Sequence, residues 1–158
     1  MRQFGLIGET LKHSFSKKYF SEKFQNENIQ DCQYDLFELE SISEFPELIS
    51  NYRETLGGLN VTIPYKKEVI PFLDDLDENA AAIQAVNTIK RLPNGQLKGY
   101  NTDYFGFLNS LKDGWELSQI KALVLGTGGA SKAVKKALKD LNIPYQSVSR
   151  QSSDMSIS

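Results

Sequence analysis

Apolar positions along the chain change period several times, and the changes mark its elements. Residues 4–7 form a short continuous apolar run closed by Gly8, a strand pattern. From Ser16 the period lengthens. Within SKKYFSEKFQNEN (16–28), Phe20 and Phe24 fall four apart on one helical face, and Ser16 is expected to be the N-cap. Residues 32–39 alternate and carry Tyr and Phe, which reads as a second strand. A second helix is expected over 42–52, with Pro46 near its first turn. A third strand follows at 58–63, and Pro64 is expected to open another helix. A further helix is placed over about 75–83. AVNTIKRL and LKGY are then joined by Pro93-Asn94-Gly95-Gln96, and an Asn-Gly step between apolar runs marks an antiparallel hairpin.

The order through residue 100 is therefore βαβαβα followed by a hairpin. It predicts an α/β fold whose sheet is mainly parallel, with one antiparallel hairpin. A helix over 102–111 ends at Lys112-Asp113-Gly114. A strand at 120–125 runs into Gly126-Thr127-Gly128-Gly129-Ala130-Ser131. Next come a helix with Ala133, Val134, Ala137, Leu138 and Leu141 on its apolar face, and a last strand at 145–149. This second series is the first part of a Rossmann nucleotide-binding domain, so the chain divides into a domain at 1–101 and an incomplete one at 102–158.

Composition narrows the function classes. The 158 residues are 40% hydrophobic and 24% charged, enough to build a core. A net charge of −2 gives no general attraction to nucleic acid or to an anionic membrane. The chain from residue 101 on is mildly basic, with 7 Lys and Arg against 5 Asp and Glu, which suits a phosphate ligand. Cys32 is the only cysteine and His13 the only histidine, so neither an intrachain disulfide nor a zinc site of those ligands is expected, and no metal is assigned. The N-terminus lacks the apolar segment of a signal peptide, and no run approaches a membrane span. A reducing, cytoplasmic setting is the expectation.

Strand, GTGGAS, helix is the arrangement that gathers backbone N–H groups and a helix N-terminus around a pyrophosphate. The third glycine position of the fingerprint holds Ser131, still small enough for close helix packing. Where an NAD-binding chain carries a ribose-binding carboxylate, this one has Val148-Ser149-Arg150. An arginine pairs with a 2′-phosphate and cannot accept from a 2′-hydroxyl, which favours NADP.

Polar clusters lie where strands end: Ser14 and Ser16, then Asn60, Thr62 and Lys66, then Asn87 and Thr88, then Asn101, Thr102 and Asp103. Ligands of open α/β sheets sit beyond the carboxyl ends of strands. Hydroxyls and amides with few charges suit a neutral polyol. The stretch GLNVTIPYKK poses the sharpest question, whether either lysine is aimed at chemistry.

Taken together, HSFS at 13–16, NVTIPYK at 60–66, AVNT at 85–88, NTD at 101–103 and GTGGAS at 126–131 make the chain resemble the shikimate dehydrogenase family. The resemblance implies substrate contacts at Ser14, Ser16, Asn60, Thr62, Asn87 and Asp103, with Lys66 catalytic and Asp103 its partner. It implies cofactor contacts at Glu78, across Gly126, Thr127, Gly128, Gly129 and Ala130, and at Ser149 and Arg150. The implied reaction is reversible hydride transfer between NADPH and 3-dehydroshikimate, giving shikimate in the aromatic amino acid pathway. His13 is expected to be a loop residue and Lys67 a solvated helix charge.

The family's nucleotide domain extends beyond the elements present, and its C-terminal tyrosine and glutamine contacts have no counterpart here. A C-terminally truncated, inactive or weakly active chain is the expectation. The family often follows its arginine with Thr and a second Arg, whereas Gln151 stands next in this chain. A quinate-using paralogue and a non-catalytic shikimate- or nucleotide-binding module are the competing readings. An exposed edge on the last strand makes self-association, including a homodimer, an outcome to test.

Overall fold

Strand β1 (Arg2–Gly8) has a neighbour on each side, and Gly5 through Gly8 are buried. It pairs in parallel with β2 (Cys32–Glu38) and with β3 (Leu56–Val61). The sheet continues through β5 (Thr88–Arg91) and β6 (Leu97–Tyr100), both antiparallel to their predecessors, to β4 (Asp75–Leu76), which runs parallel to β6. The strand order is β2-β1-β3-β5-β6-β4. The coordinates are a computed structural model that describes residues 1–117 and 120–149. The sheet belongs to one compact unit, Met1–Asp77 with Val86–Tyr100.

Helix α1 (Ser16–Asn26) lays Phe20 and Phe24 against the sheet, where they join Leu6, Leu11, Tyr34, Phe4 and Leu36 in one cluster. The four-residue spacing of the two phenylalanines is what aims both at this face. Ser16 is the first helical residue and not the N-cap, a position taken by Phe15. The serine two residues earlier does part of that work, since Ser14 Oγ accepts the Ser16 N–H at 3.2 Å. Helix α2 (Phe45–Asn51) has Pro46 in its first turn, as expected, and is entered through a 3₁₀ turn at Ile42–Glu44. Ser41 and Glu44 form a reciprocal capping box there.

Two expectations fail between β3 and β5. No helix follows Pro64; residues 63–69 form successive turns and lead into a 3₁₀ turn at Ile70–Phe72. Tyr65 and Val69 are buried one helical turn apart, with the Val69 N–H donating to the Tyr65 carbonyl at 3.0 Å. Pro71 then lacks the N–H that would continue the ladder, and its ring would crowd the carbonyl of Lys67. Lys67 is exposed, but on turns and not on a helix. The helix expected over 75–83 is also shortened. Asp75 and Leu76 are spent on β4, held by the Lys98–Asp75 ion pair at 2.6 Å and by Leu97 N–H donating to Asp74 at 2.7 Å.

The second unit takes in Glu78–Ala85 and the described chain from Asn101 on. It contains α3 (Glu78–Ile83), α4 (Thr102–Gly114), β7 (Ala122–Leu125), α5 (Gly129–Asp140) and β8 (Tyr145–Val148). The N-cap of α4 is Asn101, wholly buried. Its side-chain oxygen accepts from Tyr104 N–H at 3.2 Å, and its amide donates to the Ala85 carbonyl at 2.9 Å. Ala133 and Ala137, on one face of α5, let it pack closely against Ile83, Ala85 and Tyr104. Tyr104 also donates to Asp140 at 2.7 Å, and Lys136 meets the same carboxylate at 2.8 Å. Strands β7 and β8 are parallel, as a β-α-β unit requires. Val124 faces the α5 side with Leu138 and Ile143, whereas Leu123 and Leu125 are exposed. Among the described residues, no helix is long and apolar enough to cross a membrane.

Candidate functional site

Sheet register explains how residues far apart in sequence meet. Phe4 lies opposite Tyr34, Leu6 opposite Asn60, and Asn60 opposite Thr88. Side chains alternate along strands, so Tyr34, Asn60 and Thr88 share the face that α1 covers in part. There they are hydrogen-bonded in series. The Tyr34 hydroxyl donates to Asn60 Oδ1 at 2.8 Å, Asn60 Nδ2 donates to Thr88 Oγ1 at 3.3 Å, and Thr88 donates to Asn87 Oδ1 at 3.1 Å.

Tyr34 is only 4% exposed. Burial pushes its phenol up to about 12, against a smaller opposite pull from the Ser16 side chain. The seam thus runs from β2 across β3 to the start of β5. Asn60 and Asn87, two of the expected substrate contacts, are joined by two residues outside that set, Tyr34 and Thr88. The alternation of β2 was the available signal for Tyr34, since it marks that position as facing inward.

Around the seam, Ser14 is half-buried in the turn after β1, and its N–H donates to the Leu11 carbonyl at 2.9 Å. Thr62 is also half-buried; its N–H donates to the Ile7 carbonyl at 2.9 Å and its carbonyl accepts from Tyr65 at 3.0 Å. Gly8 lets these two segments approach. A Cβ there would lie 2.7 Å from both the Leu11 and the Thr62 side chains. Lys66 is half-buried, and its carbonyl accepts the Val86 N–H at 2.7 Å, tying the turns after β3 to the segment that leads into Asn87. Asn87 itself, 9% exposed, is fixed by its backbone: the N–H donates to Tyr100 at 3.0 Å and the carbonyl accepts from Val61 at 2.9 Å. His13 is exposed in the loop between β1 and α1.

A groove of about 770 Å³ opens along the same face, with Phe4, Phe20, Phe24 and Ile29 among its apolar walls and Asn60 and Thr88 in its lining. Ser14, Thr62 and Lys66 do not line it. The groove and the strand-end cluster are therefore adjoining features that share the seam.

In the second unit, Asp103 is half-buried in the first turn of α4, and Glu78 is the exposed first residue of α3. Lys66 and Asp103 belong to different units. The glycine turn follows β7. Gly126 has φ +100°, which an L side chain rarely adopts, and its N–H donates to the Val148 carbonyl at 2.8 Å. Gly128 is the N-cap of α5 and supplies no side-chain cap, with Gly129 and Ala130 in the first turn. A Cβ added at Gly126 or Gly128 would meet only open space, so an anion can approach the backbone there. These features fit a pyrophosphate. Ser131 turns back to donate to the Gly128 carbonyl at 2.7 Å. Thr127 is exposed, Ser149 half-buried after β8, and Arg150 lies outside the described residues. Among the described residues, no group of three or more His, Cys, Asp or Glu could hold a metal ion.

Residues 6–89 match the family model described as the shikimate dehydrogenase substrate binding domain. The chain belongs to the shikimate dehydrogenase family. A shikimate dehydrogenase (NADP(+)) of Caldicellulosiruptor bescii is 40% identical over 137 residues, 84% of this chain and 46% of the relative. One from Syntrophomonas wolfei is 43% identical over 140 residues, 88% and 47% of the two chains. Among solved structures, shikimate dehydrogenase 1 of Peptoclostridium difficile superposes with a TM-score of 0.86 at 37% identity, covering 99% of this chain and 58% of that one. Shikimate 5-dehydrogenase of Thermus thermophilus, solved in complex with NADP(H) and shikimate, gives a TM-score of 0.84 at 30% identity, covering 96% and 57%. The chain spans about half the length of the shikimate dehydrogenases it matches.

Proposed function

We propose that this chain carries the substrate-binding part and the first β-α-β of the nucleotide-binding part of an NADP-dependent shikimate dehydrogenase. The observation that carries the reading is the hydrogen-bonded seam of Tyr34, Asn60, Thr88 and Asn87, which gathers neutral donors and acceptors from β2, β3 and the start of β5 inside the matched segment. Such a set reads ring hydroxyls and has no need of charge. Ser14 and Thr62 extend it, and the domain at 1–101 has the substrate role.

Bound NADPH would supply the hydride to the ketone of 3-dehydroshikimate. Reduction leaves negative charge growing on the former carbonyl oxygen, which needs a proton and electrostatic stabilisation. Lys66 would provide both from its ammonium, and Asp103 is the carboxylate assigned to grip a substrate hydroxyl. The open turn from Gly126 to Ala130 and the N-terminus of α5 would hold the pyrophosphate, supported by the absence of a side-chain cap at Gly128. Ser149 and Arg150 would face the adenosine phosphate and Glu78 the cofactor side. Pairing of two copies is part of the same reading, supported by the edge position of β2 in its sheet.

Two measurements test this. Calorimetric titration of the chain with shikimate, and separately with quinate, should show binding that favours shikimate. NADPH absorbance should fall with 3-dehydroshikimate when the chain is extended with the remaining nucleotide-domain elements of a relative. Binding without turnover in the extended form points to a binding module, and a preference for quinate points to the paralogue. Sedimentation of the same samples reads the pairing of copies.

A further inference from the structure

We propose that Tyr34 is a positioning residue for the substrate-binding amides: its hydroxyl heads a one-way series of hydrogen bonds that orients Asn60 and, through Thr88, Asn87. The proposal rests on the reading of Asn60 and Asn87 as substrate contacts, and it adds two residues, Tyr34 and Thr88, as the parts that set which end of each amide is presented.

The protons available to each group fix the direction of the series. A phenol has a single proton to give, and Tyr34 gives it to Asn60 Oδ1. An amide oxygen can only accept, so the Tyr34 proton is directed at Asn60. With its oxygen held, Asn60 presents its nitrogen on the other side, where it donates to Thr88 Oγ1. Thr88, having accepted, gives its own single proton to Asn87 Oδ1. Each link sets the direction of the next. The series ends with the Asn87 carbonyl engaged by Thr88, so the end of Asn87 directed away from Thr88 is its NH₂ group.

The head of the series is itself held in place. The Phe20 ring stacks on Tyr34 with centroids 4.5 Å apart and planes 14° from parallel. Phe4, Leu6 and Leu11 close the cluster around it. A phenylalanine at position 34 would keep that packing and remove only the hydroxyl, which makes Tyr34→Phe the informative change.

The experiment follows the side-chain amide signals of Asn60 and Asn87 in ¹H–¹⁵N spectra of the chain, with and without Tyr34→Phe, alongside shikimate titrations. Tyr34→Phe is expected to move both amide pairs and to weaken shikimate binding about tenfold. In an Asn60→Ala background, the same change should add almost nothing to the loss. Asn87 signals that stay in place, or a binding effect that persists in full without Asn60, would overturn the proposal. If Tyr34→Phe does not fold, Thr88→Val cuts the series further along and decides it. That variant must move the Asn87 signals, and unmoved signals refute the proposal. Failure of the unsubstituted chain to bind shikimate would count against the substrate reading, while the amide spectra still decide whether Tyr34 orients Asn87.

Discussion

The seam on the first unit and the glycine turn on the second are built by different means. The seam is made of side chains from β2, β3 and the start of β5, and its members bond to one another over separations of 26 and 28 residues. The turn is made of backbone from six consecutive residues, and its main requirement is the φ of +100° at Gly126 together with an uncapped helix start. Side-chain recognition therefore depends on sheet register, and a slip of one residue would turn Asn60 and Thr88 to the other face. Backbone recognition depends on local conformation and survives as long as the turn does.

This difference makes the two regions separable by experiment. The largest effect is expected at Lys66. In a form extended to include the remaining nucleotide-domain elements, Lys66→Ala should lower turnover by roughly a hundredfold or more, with shikimate still bound through the seam. Near-normal turnover would remove Lys66 from the chemistry.

The second effect is confined to the first unit and appears in alkali. The Tyr34 phenol titrates at about 12 when folded, raised by burial, against an ordinary value near 10 when unfolded. Between those values the unfolded state has lost its proton and the folded state has not, so stability falls as pH rises. The loss should amount to about 2–3 kcal/mol by pH 12, and denaturant titrations of the parent and Tyr34→Phe chains between pH 9 and about 12 would measure it. The Phe variant should lack that component; equal pH dependence in both would contradict the assignment.

The smallest effect is expected in the second unit. Gly126→Ala places a Cβ in open space but at a strained φ, for a cost of about 1 kcal/mol. It should weaken NADPH binding modestly and leave shikimate affinity unchanged. A matching fall in shikimate affinity would show that the two regions are not independent.

Much of this was legible in the residues alone. The hairpin followed from Asn94-Gly95 because few other dipeptides suit its turn, and the β7–turn–α5 arrangement followed from GTGGAS between an apolar run and an amphipathic helix. The errors cluster where a local preference met a tertiary demand. Pro64 suits a helix start, yet Pro71 and the burial of Tyr65 and Val69 made successive turns the better solution. Residues 75–76 suit a helix as well as an edge strand, and pairing with β6 decided between them. Ser16 looked like a cap, but Ser14 is the residue whose hydroxyl accepts at the helix start.

By itself, then, the sequence determined most of the element types and the family, because periodicity, turn chemistry and motif spacing are local properties of the chain. Tertiary structure alone decided that Tyr34 and Thr88 join Asn60 and Asn87 in a single series of hydrogen bonds. The physical reason is that strand register, set by burial of Leu6, Leu59 and Ile89 across three strands, has no local signature in the residues it brings together.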